Sequence, residues 1–304
     1  MEYFHVVFTV PDTLNPLFLA NPKIAYDLLF RSVAETLQEV ALNPRNLGAR
    51  IGFTAVLHTW TQTLLYHPHI HLIVPGGGLS PEGGRWIRAR RGFFLPVRIL
   101  SKVFRGKLLS SLEAAIEKGT LFSSRQQARC LLWKAAQKNW VVYSKRPFAG
   151  PDQVLRYLGR YTHRIAISNE RLVSVENDRV SFRWKDRADG DTTKVMSLDG
   201  VEFLRRFLLH VLPHGLVRIR HYGFLANAIR AREISRCREL LNAPAPEATN
   251  PAESVPETWQ DMLLRLTGRD VLSCPRCKEG RLIDKEVIPR PGLQCAFPGS
   301  GTSS

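Results

Sequence analysis

The histidines of the segment YHPHIHLIV (66–74) have the spacing in this chain that most directly indicates chemistry. Side chains alternate along a strand, so His69 and His71 would project from one face while Ile70 points into the core. Two imidazoles on one face can hold one cation and leave coordination positions open for a phosphate oxygen and water. His67 is in phase with them, but Pro68 interrupts the ladder. The segment therefore predicts a metal site built on His69 and His71.

Two histidines rarely complete a metal site, and the sequence offers three candidates for the next ligand. His58 lies on the preceding predicted strand, where a hairpin could bring it beside the histidine pair. Gln153 lies on a later predicted helix, and Gln62 is a weaker third candidate. Imidazole is the better ligand for most divalent ions, so we favour His58. The competing interpretation is that these histidines are ordinary core or surface residues that bind no metal.

A pair of tyrosines in the segment PDQVLRYLGRYTHR (151–164) could supply a nucleophile. Tyr157 and Tyr161 are spaced i, i+4, so on a helix they share one face. A tyrosine oxygen can attack as a covalent nucleophile, although this spacing is also typical of half-buried packing. Three basic residues interleave with the tyrosines and could hold a DNA backbone: Arg156, Arg160 and Arg164.

Hydrophobic periodicity predicts the elements that must position these side chains. Strands are predicted over 3–9, 51–60, 69–74, 140–144 and in the segments RIAIS (164–168), RLVSVEN (171–177) and RVSFRWKD (179–186). Helices are predicted over 22–42, 96–118, 123–138, 151–164, 199–210 and 226–241. The strands 51–60 and 69–74 are close enough in the chain to pair as an antiparallel hairpin, and the glycines at 76–78 predict a turn.

The composition changes after residue 241, which predicts a domain boundary there. Residues 242–258 are rich in Pro, Ala and Glu, cannot bury much apolar area and are interpreted as a flexible linker. This leaves a main domain over 1–241 and a small, partly disordered C-terminal segment over 259–304. Cys274 and Cys277 form a CPRC knuckle in that segment, but a closed zinc site needs four ligands and only Cys295 follows. We therefore expect no complete structural zinc site within this chain; the pair is a degenerate ribbon or half of a site completed elsewhere.

The charge of the chain predicts its partner. Lys and Arg number 43 against 27 Asp and Glu, a formal net charge of +16, and so positive a surface attracts polyanions. Nucleic acid is the favoured partner, against the alternative of a basic protein with no particular partner. The sequence has no apolar run of about 20 residues and no signal peptide, so no membrane partner is expected. Five cysteines do not form a disulfide framework, which favours a reducing, cytoplasmic compartment.

The combination of His-hydrophobic-His with a helical Tyr-x-x-x-Tyr resembles the two-tyrosine form of the HUH endonuclease superfamily. More specifically, the chain is similar to the rolling-circle insertion-sequence transposases of bacteria. The likeness runs from about residue 3 to about residue 240, and three segments carry it: FTAVLHTWTQTLLYHPHIHLIVPGGG (53–78), VLRYLGRYTHRIAISNERL (154–172) and VRIRHYGFLAN (217–227).

The resemblance implies both a fold and a reaction. The fold is α+β, an HUH-type domain whose central antiparallel sheet is flanked by helices, with the histidines on a middle strand and the tyrosines on an adjacent helix. His69 and His71 would bind Mg²⁺ or Mn²⁺ at the scissile phosphate of single-stranded DNA. Tyr157 or Tyr161 would attack to give a 5′-phosphotyrosine and a free 3′-OH, and the second tyrosine would allow a further cleavage. The setting would be the bacterial cytoplasm, in association with the nucleoid.

One departure from the family pattern leaves alternatives open. Such transposases usually carry a cysteine-rich zinc-binding segment ahead of the catalytic domain, whereas this sequence opens almost directly on the first predicted strand. The departure puts specific recognition of transposon ends in doubt. The alternatives are a related HUH replication initiator or nickase, and a non-catalytic or decayed DNA-binding regulator. Metal binding discriminates the regulator from both enzymes.

Overall fold

The computed structural model describes residues 2–121, 124–148, 166–243, 258–268, 270–277 and 279–282. The chain forms two compact units, 1–246 and 247–304. The predicted tyrosine helix and most of the predicted linker lie outside the described residues. The first unit combines helices with antiparallel sheets, so the predicted α+β class is confirmed.

The first unit contains ten strands and six α-helices among its described residues. The strands are β1 (Tyr3–Thr9), β2 (Gly52–Trp60), β3 (Tyr66–Pro75), β4 (Gly77–Leu79), β5 (Trp86–Arg88), β6 (Val142–Phe148), β7 (Leu172–Glu176), β8 (Arg179–Asp186), β9 (Thr192–Asp199) and β10 (Ile219–Gly223). The helices are α1 (Asn15–Ala20), α2 (Pro22–Leu42), α3 (Val97–Glu117), α4 (Arg125–Ala136), α5 (Gly200–Leu208) and α6 (Arg230–Leu240).

The central sheet has five strands in the order β10-β2-β3-β1-β6, and every neighbouring pair is antiparallel. The histidine strand β3 is therefore the middle strand, as the resemblance implies. The alternation of its side chains gives the sheet two different faces. One face is apolar and joins α2 and α3 in the main hydrophobic core; Phe8, for example, meets Phe104 of α3 edge to face at 5.1 Å. The other face carries the histidines, and the packing of the apolar face against the core fixes the strands that carry them.

Most of the predicted elements near the site are confirmed. Helix α2 and strand β1 have the predicted bounds, and β2 and β3 pair as the predicted antiparallel hairpin. Strand β3 is longer than predicted because Pro68 does not end it; its side chain is buried inside the strand. The turn Asn177–Asp178, where both residues have positive φ, joins β7 to β8 as predicted.

Four details of the secondary structure differ from the prediction. The glycines at 76–78 do not form only the predicted turn, because Gly77–Leu79 is strand β4 and pairs with β5. A Cβ on Gly77 would clash with the carbonyl oxygen of Ile87 in that pairing. The predicted strand RIAIS is wrong over 166–168, where Ala166 has φ 48° and no strand forms. Strands β9 and β10 were not predicted, because β9 is largely exposed and β10 (IRHYG) lacks an apolar run.

The second unit is small. Its helix α7 (Trp259–Thr267) begins with a capping box between Thr258 and Asp261 and ends at Gly268, which has φ +69°. Residues 270–277 and 279–282 then approach each other through an isolated antiparallel bridge between Ser273 and Arg281. Across the part of the chain that the structure describes, no helix combines the length and apolarity needed to span a membrane.

Candidate metal centre

Three histidines converge on the face of the central sheet opposite the main core. His58, His69 and His71 each offer a ring nitrogen, and these atoms lie within 4.8 Å of one another. The register explains the convergence, because β2 pairs with β3 so that His58 stands directly opposite His69. His71 is two residues further along β3, on the same face. The structure thus brings the favoured third candidate beside the predicted pair.

The orientation of His69 is set by a backbone hydrogen bond. Its Nδ1 lies 2.6 Å from the carbonyl oxygen of His67. A carbonyl can only accept, so Nδ1 carries the hydrogen and donates it. In the neutral ring, Nε2 then keeps its lone pair. A hydrogen bond of this kind from the second ring nitrogen is how proteins usually fix a metal-binding imidazole.

His71 is oriented by a residue that the sequence analysis did not identify. Its Nδ1 lies 2.8 Å from Nε2 of His5 on the neighbouring strand β1. The two rings are almost parallel, with an interplanar angle of 5° and centroids 5.0 Å apart. If His71 binds a metal through Nε2, its Nδ1–H donates to Nε2 of His5. In the sequence, His5 is visible only as a histidine in a strand otherwise rich in apolar residues. That pattern does not predict its contact with a residue 66 positions away.

The ring of His58 is held by Trp60, with centroids 4.5 Å apart and an interplanar angle of 18°. The register of β2 against β3 shifts between His58 and Trp60, and the two rings stack at this irregularity of the strand. Thr59, inside that irregularity, donates from its hydroxyl to Nδ1 of the buried His210 at 3.2 Å. The Nε2–H of His210 donates to the carbonyl of Leu64 at 3.1 Å. His210 therefore has a structural role: it fixes the β2–β3 connection.

The electrostatic environment keeps the two histidines of β3 neutral. Burial lowers the pKa of His69 to about 4; the hydrogen bond to the His67 carbonyl opposes this shift, while the charges of the His67 ring and of Arg187 add to it. Burial, followed by the other histidines of the cluster, lowers the pKa of His71 well below its usual range. A metal needs the lone pair of the neutral ring, so both residues are in the competent protonation state at pH 7. Three imidazoles this close together fit a divalent ion.

Two other predicted site residues lie in the described part of the chain, and neither belongs to this cluster. Gln62 is exposed in the turn after β2, and His67 is half-buried and outside the group of three. The remaining predicted residues lie outside the described residues, so their roles stay predictions: Tyr157, Tyr161, Gln153, Arg156, Arg160 and Arg164.

The sequence has clear relatives. Residues 52–233 match the Y2_Tnp family, described as "Putative transposase". Over 297 residues the chain is 50% identical to "Putative transposase y4qJ" of Sinorhizobium fredii strain NGR234, covering 94% of this chain and 74% of that protein. Over 259 residues it is 29% identical to the transposase for insertion sequence element IS801 of Pseudomonas savastanoi pv. phaseolicola, covering 81% of this chain and 59% of that protein.

Among solved structures, the chain is similar to the metal-bound structure of the conjugative relaxase TrwC in complex with oriT DNA. The TM-score is 0.28 at 14% identity, over 79% of this chain and 72% of the relaxase chain, a likeness too distant to carry an argument. The family match stands on the sequence instead. It spans more than half of the chain, and one relative shares half of the residues over nearly the whole length. The chain therefore belongs to the Y2_Tnp family of transposases.

Proposed function

We propose that this protein is a DNA transposase that cleaves and rejoins single-stranded DNA through a 5′-phosphotyrosine intermediate, with a divalent metal, in rolling-circle transposition. The observation that carries the proposal is the convergence of His58, His69 and His71 on one face of a five-stranded sheet. Membership of a transposase family supplies the reaction class. A cluster of imidazoles could hold the divalent ion that such a reaction needs at the phosphate.

His69 and His71 would hold the ion through their Nε2 atoms, because their Nδ1 atoms are engaged by the His67 carbonyl and by His5. His58 would be the third ligand. When bound, the divalent ion would withdraw charge from the non-bridging oxygens of the scissile phosphate. Of the two ions that the resemblance implies, three imidazole donors suit Mn²⁺ better than Mg²⁺, which prefers oxygen ligands.

Tyr157 or Tyr161 would provide the attacking phenolic oxygen. The oxygen bonds to phosphorus as the bond from phosphorus to the 3′ oxygen breaks; the phenolic proton is lost and the departing 3′ oxygen takes up a proton. The tyrosine ester retains the energy of the broken phosphodiester, so rejoining requires no ATP. The second tyrosine would allow a further cleavage before the first ester is resolved.

The basic residues around the site would hold the DNA. Arg187 contributes to the lowered pKa values of His69 and His71, so its positive charge acts near the proposed metal site and would favour a bound phosphate. Arg156, Arg160 and Arg164 would contact the backbone beside the tyrosines, fixing the strand without reading its sequence. The net charge of +16 would draw the strand towards the protein.

The test is covalent capture of labelled single-stranded DNA from the ends of the protein's own element. The full chain is incubated with Mn²⁺ or Mg²⁺ and examined on a denaturing gel, with EDTA, the His69→Ala/His71→Ala variant, and Tyr157→Phe and Tyr161→Phe singly and together. We expect a metal-dependent adduct that is lost in the histidine variant and in the double tyrosine variant.

Two other outcomes would replace the proposal. Tight DNA binding without an adduct, in wild-type protein that still binds Mn²⁺, would favour a DNA-binding regulator. An adduct formed on origin-like substrates but without rejoining would favour a replication initiator or nickase. Adduct formation that persists in the double tyrosine variant would refute the assigned nucleophiles.

A further inference from the structure

The CPRC knuckle of the second unit has a defined geometry that the proposed function does not use. Cys274 and Cys277 lie beside the Ser273–Arg281 bridge, where the Cys274 amide donates a hydrogen bond to the Gly280 carbonyl at 2.7 Å. The Gly280 amide donates to Sγ of Cys277 at 3.3 Å. A Cβ on Gly280 would meet that sulfur at 3.3 Å, so the close approach favours glycine there. The backbone thus provides one of the two sulfurs with an amide hydrogen-bond donor.

The chemistry of this knuckle is that of a metal-binding thiolate pair. The Gly280 amide donates to Sγ of Cys277, and the Cys274 side chain lies within hydrogen-bonding reach of the same sulfur. Amide donors stabilise a negatively charged sulfur, which is the form that binds a soft divalent ion. Cys277 is exposed and Cys274 is half-exposed, so both sulfurs are accessible from outside.

Two sulfurs fill half of a tetrahedral zinc site. Among the residues that the structure describes, no third His, Cys, Asp or Glu side chain joins this pair in a group able to hold an ion. The same small unit also exposes apolar side chains that so short a segment does not bury: Trp259, Met262, Leu264 and Leu282. An incomplete ligand set beside exposed apolar surface is the arrangement expected of a self-associating unit.

We propose that Cys274 and Cys277 bind a zinc ion shared with the same pair of cysteines from a second copy of this chain, giving a four-thiolate site that links two molecules. The arrangement is symmetric, since each copy contributes the same knuckle, and the apolar side chains of α7 and Leu282 cover one another in the dimer. Arg276 lies between the two ligands in sequence and Arg281 follows them, so both would offset the excess negative charge of a four-thiolate zinc site. The proposal is independent of the DNA chemistry.

The test uses Co²⁺ as a spectroscopic substitute for zinc in the full chain. Thiolate ligation gives a sulfur-to-cobalt charge-transfer band that histidine ligation at the sheet does not give, so the two sites are distinguished in one sample. We expect the band to saturate at about 0.5 equivalent of Co²⁺ per chain, the value for four thiolates from two copies. Light scattering should show a dimer that zinc stabilises and that a chelator dissociates.

Four variants make the test specific. Cys274→Ser and Cys277→Ser should each abolish the band and the zinc-dependent dimer, whereas Cys130→Ser, at another exposed cysteine, should leave both unchanged. Cys295→Ser should also leave both unchanged. Saturation at one equivalent by a monomer, or loss of the band in Cys295→Ser, would overturn the shared site in favour of completion within one chain. Absence of any thiolate band in the wild-type protein would overturn the site altogether.

Discussion

His5 Nε2 and His71 Nδ1 lie 2.8 Å apart across the strands β1 and β3, with their rings in parallel. His5 is 3% exposed, so this contact is made inside the protein. A hydrogen bond to the second ring nitrogen of a metal ligand fixes its tautomer and the direction of its lone pair. His5 is accordingly a positioning residue for the proposed metal site, acting through His71.

Replacing His5 should weaken metal binding without removing a ligand. His5→Leu removes the acceptor for the Nδ1–H of His71, and we expect the affinity for Mn²⁺ to fall by about 10- to 100-fold. His5→Gln, whose side-chain oxygen can accept the same hydrogen, should recover part of the loss. Isothermal titration calorimetry and the electron paramagnetic resonance of bound Mn²⁺ would measure both.

The matched control is His221→Ala. His221 is on the same sheet, where its Nδ1 lies 2.9 Å from Thr54 Oγ1, but it is not in the group of three. Its replacement should leave Mn²⁺ affinity unchanged. An unaltered affinity in His5→Leu would show that His71 needs no such support.

The third ligand can be identified by comparing His58 of β2 with Gln62 in the turn that follows β2. His58→Ala should lower Mn²⁺ affinity by a larger factor than His5→Leu, because it removes a donor atom from the cluster. Gln62→Ala should have no effect, since Gln62 is exposed in the turn after β2. The reverse order of effects, or a loss on Gln153→Ala equal to that of His58→Ala, would reassign the ligand. Thermal unfolding in the absence of metal would separate lost ligation from lost folding.

A buried pair of tyrosines should make the fold sensitive to alkali. The hydroxyl oxygens of Tyr26 on α2 and Tyr66 at the start of β3 lie 2.7 Å apart. Burial raises the pKa of Tyr26 to about 12 and raises that of Tyr66 further. Since both folded-state values exceed the unfolded value of about 10, the stabilisation is complete below about pH 10 and is lost as pH rises through the folded value.

The Tyr26→Phe/Tyr66→Phe variant should therefore lose less stability than the wild type between pH 9 and about pH 12. Urea denaturation at a series of pH values would measure the difference. Tyr143→Phe, at an exposed tyrosine of β6, serves as the control and should follow the wild-type curve. If the free energy of unfolding fell with pH equally in the double variant and the wild type, the tyrosine pair would not be the source of the alkali sensitivity.

Two glycines with the same backbone conformation should tolerate alanine very differently. Gly223 (φ +59°) ends β10 where an added Cβ would overlap the Ile51 carbonyl, whereas Gly215 (φ +75°) faces open space. Gly215→Ala should cost about 1–2 kcal/mol from its backbone conformation alone. Gly223→Ala should cost more than about 4 kcal/mol, because β10 must also move away from β2. Equal midpoints of urea denaturation would show that β10 is not held as closely as the structure places it.

The arginines beside the tyrosines should bind phosphates without reading bases. Replacing Arg156, Arg160 or Arg164 with Gln should weaken single-stranded DNA binding about equally for all sequences. Each change should reduce the slope of log affinity against log salt by roughly 1. Fluorescence anisotropy over a salt series would measure it. Arg129→Gln is the control, since Arg129 on α4 is ion-paired with Glu117 at 3.4 Å; a loss confined to one DNA sequence would indicate base contact instead.

The sequence by itself determined the features that depend on local pattern. The period of 2 in HPHIH placed His69 and His71 on one face, because alternation is a property of any strand. The 3.6-residue period of the apolar positions in 22–42 predicted α2 with its bounds, since one apolar stripe must face the core. The short connection between β2 and β3 predicted a hairpin, and the histidine of β2 could then be proposed as a ligand.

Only the tertiary structure decided which distant residues complete and support the site. His5 is 66 residues from His71 and meets it because β1 pairs along β3, a choice set by the burial of Phe4, Val6 and Phe8 on the opposite face. The register that places His58 opposite His69 likewise depends on that buried face. A shift of one residue would move every side chain of the strand to the other face of the sheet. Which distant strands pair is decided by the free energy of burying a whole apolar face of the sheet. A local sequence pattern gives no information about that free energy.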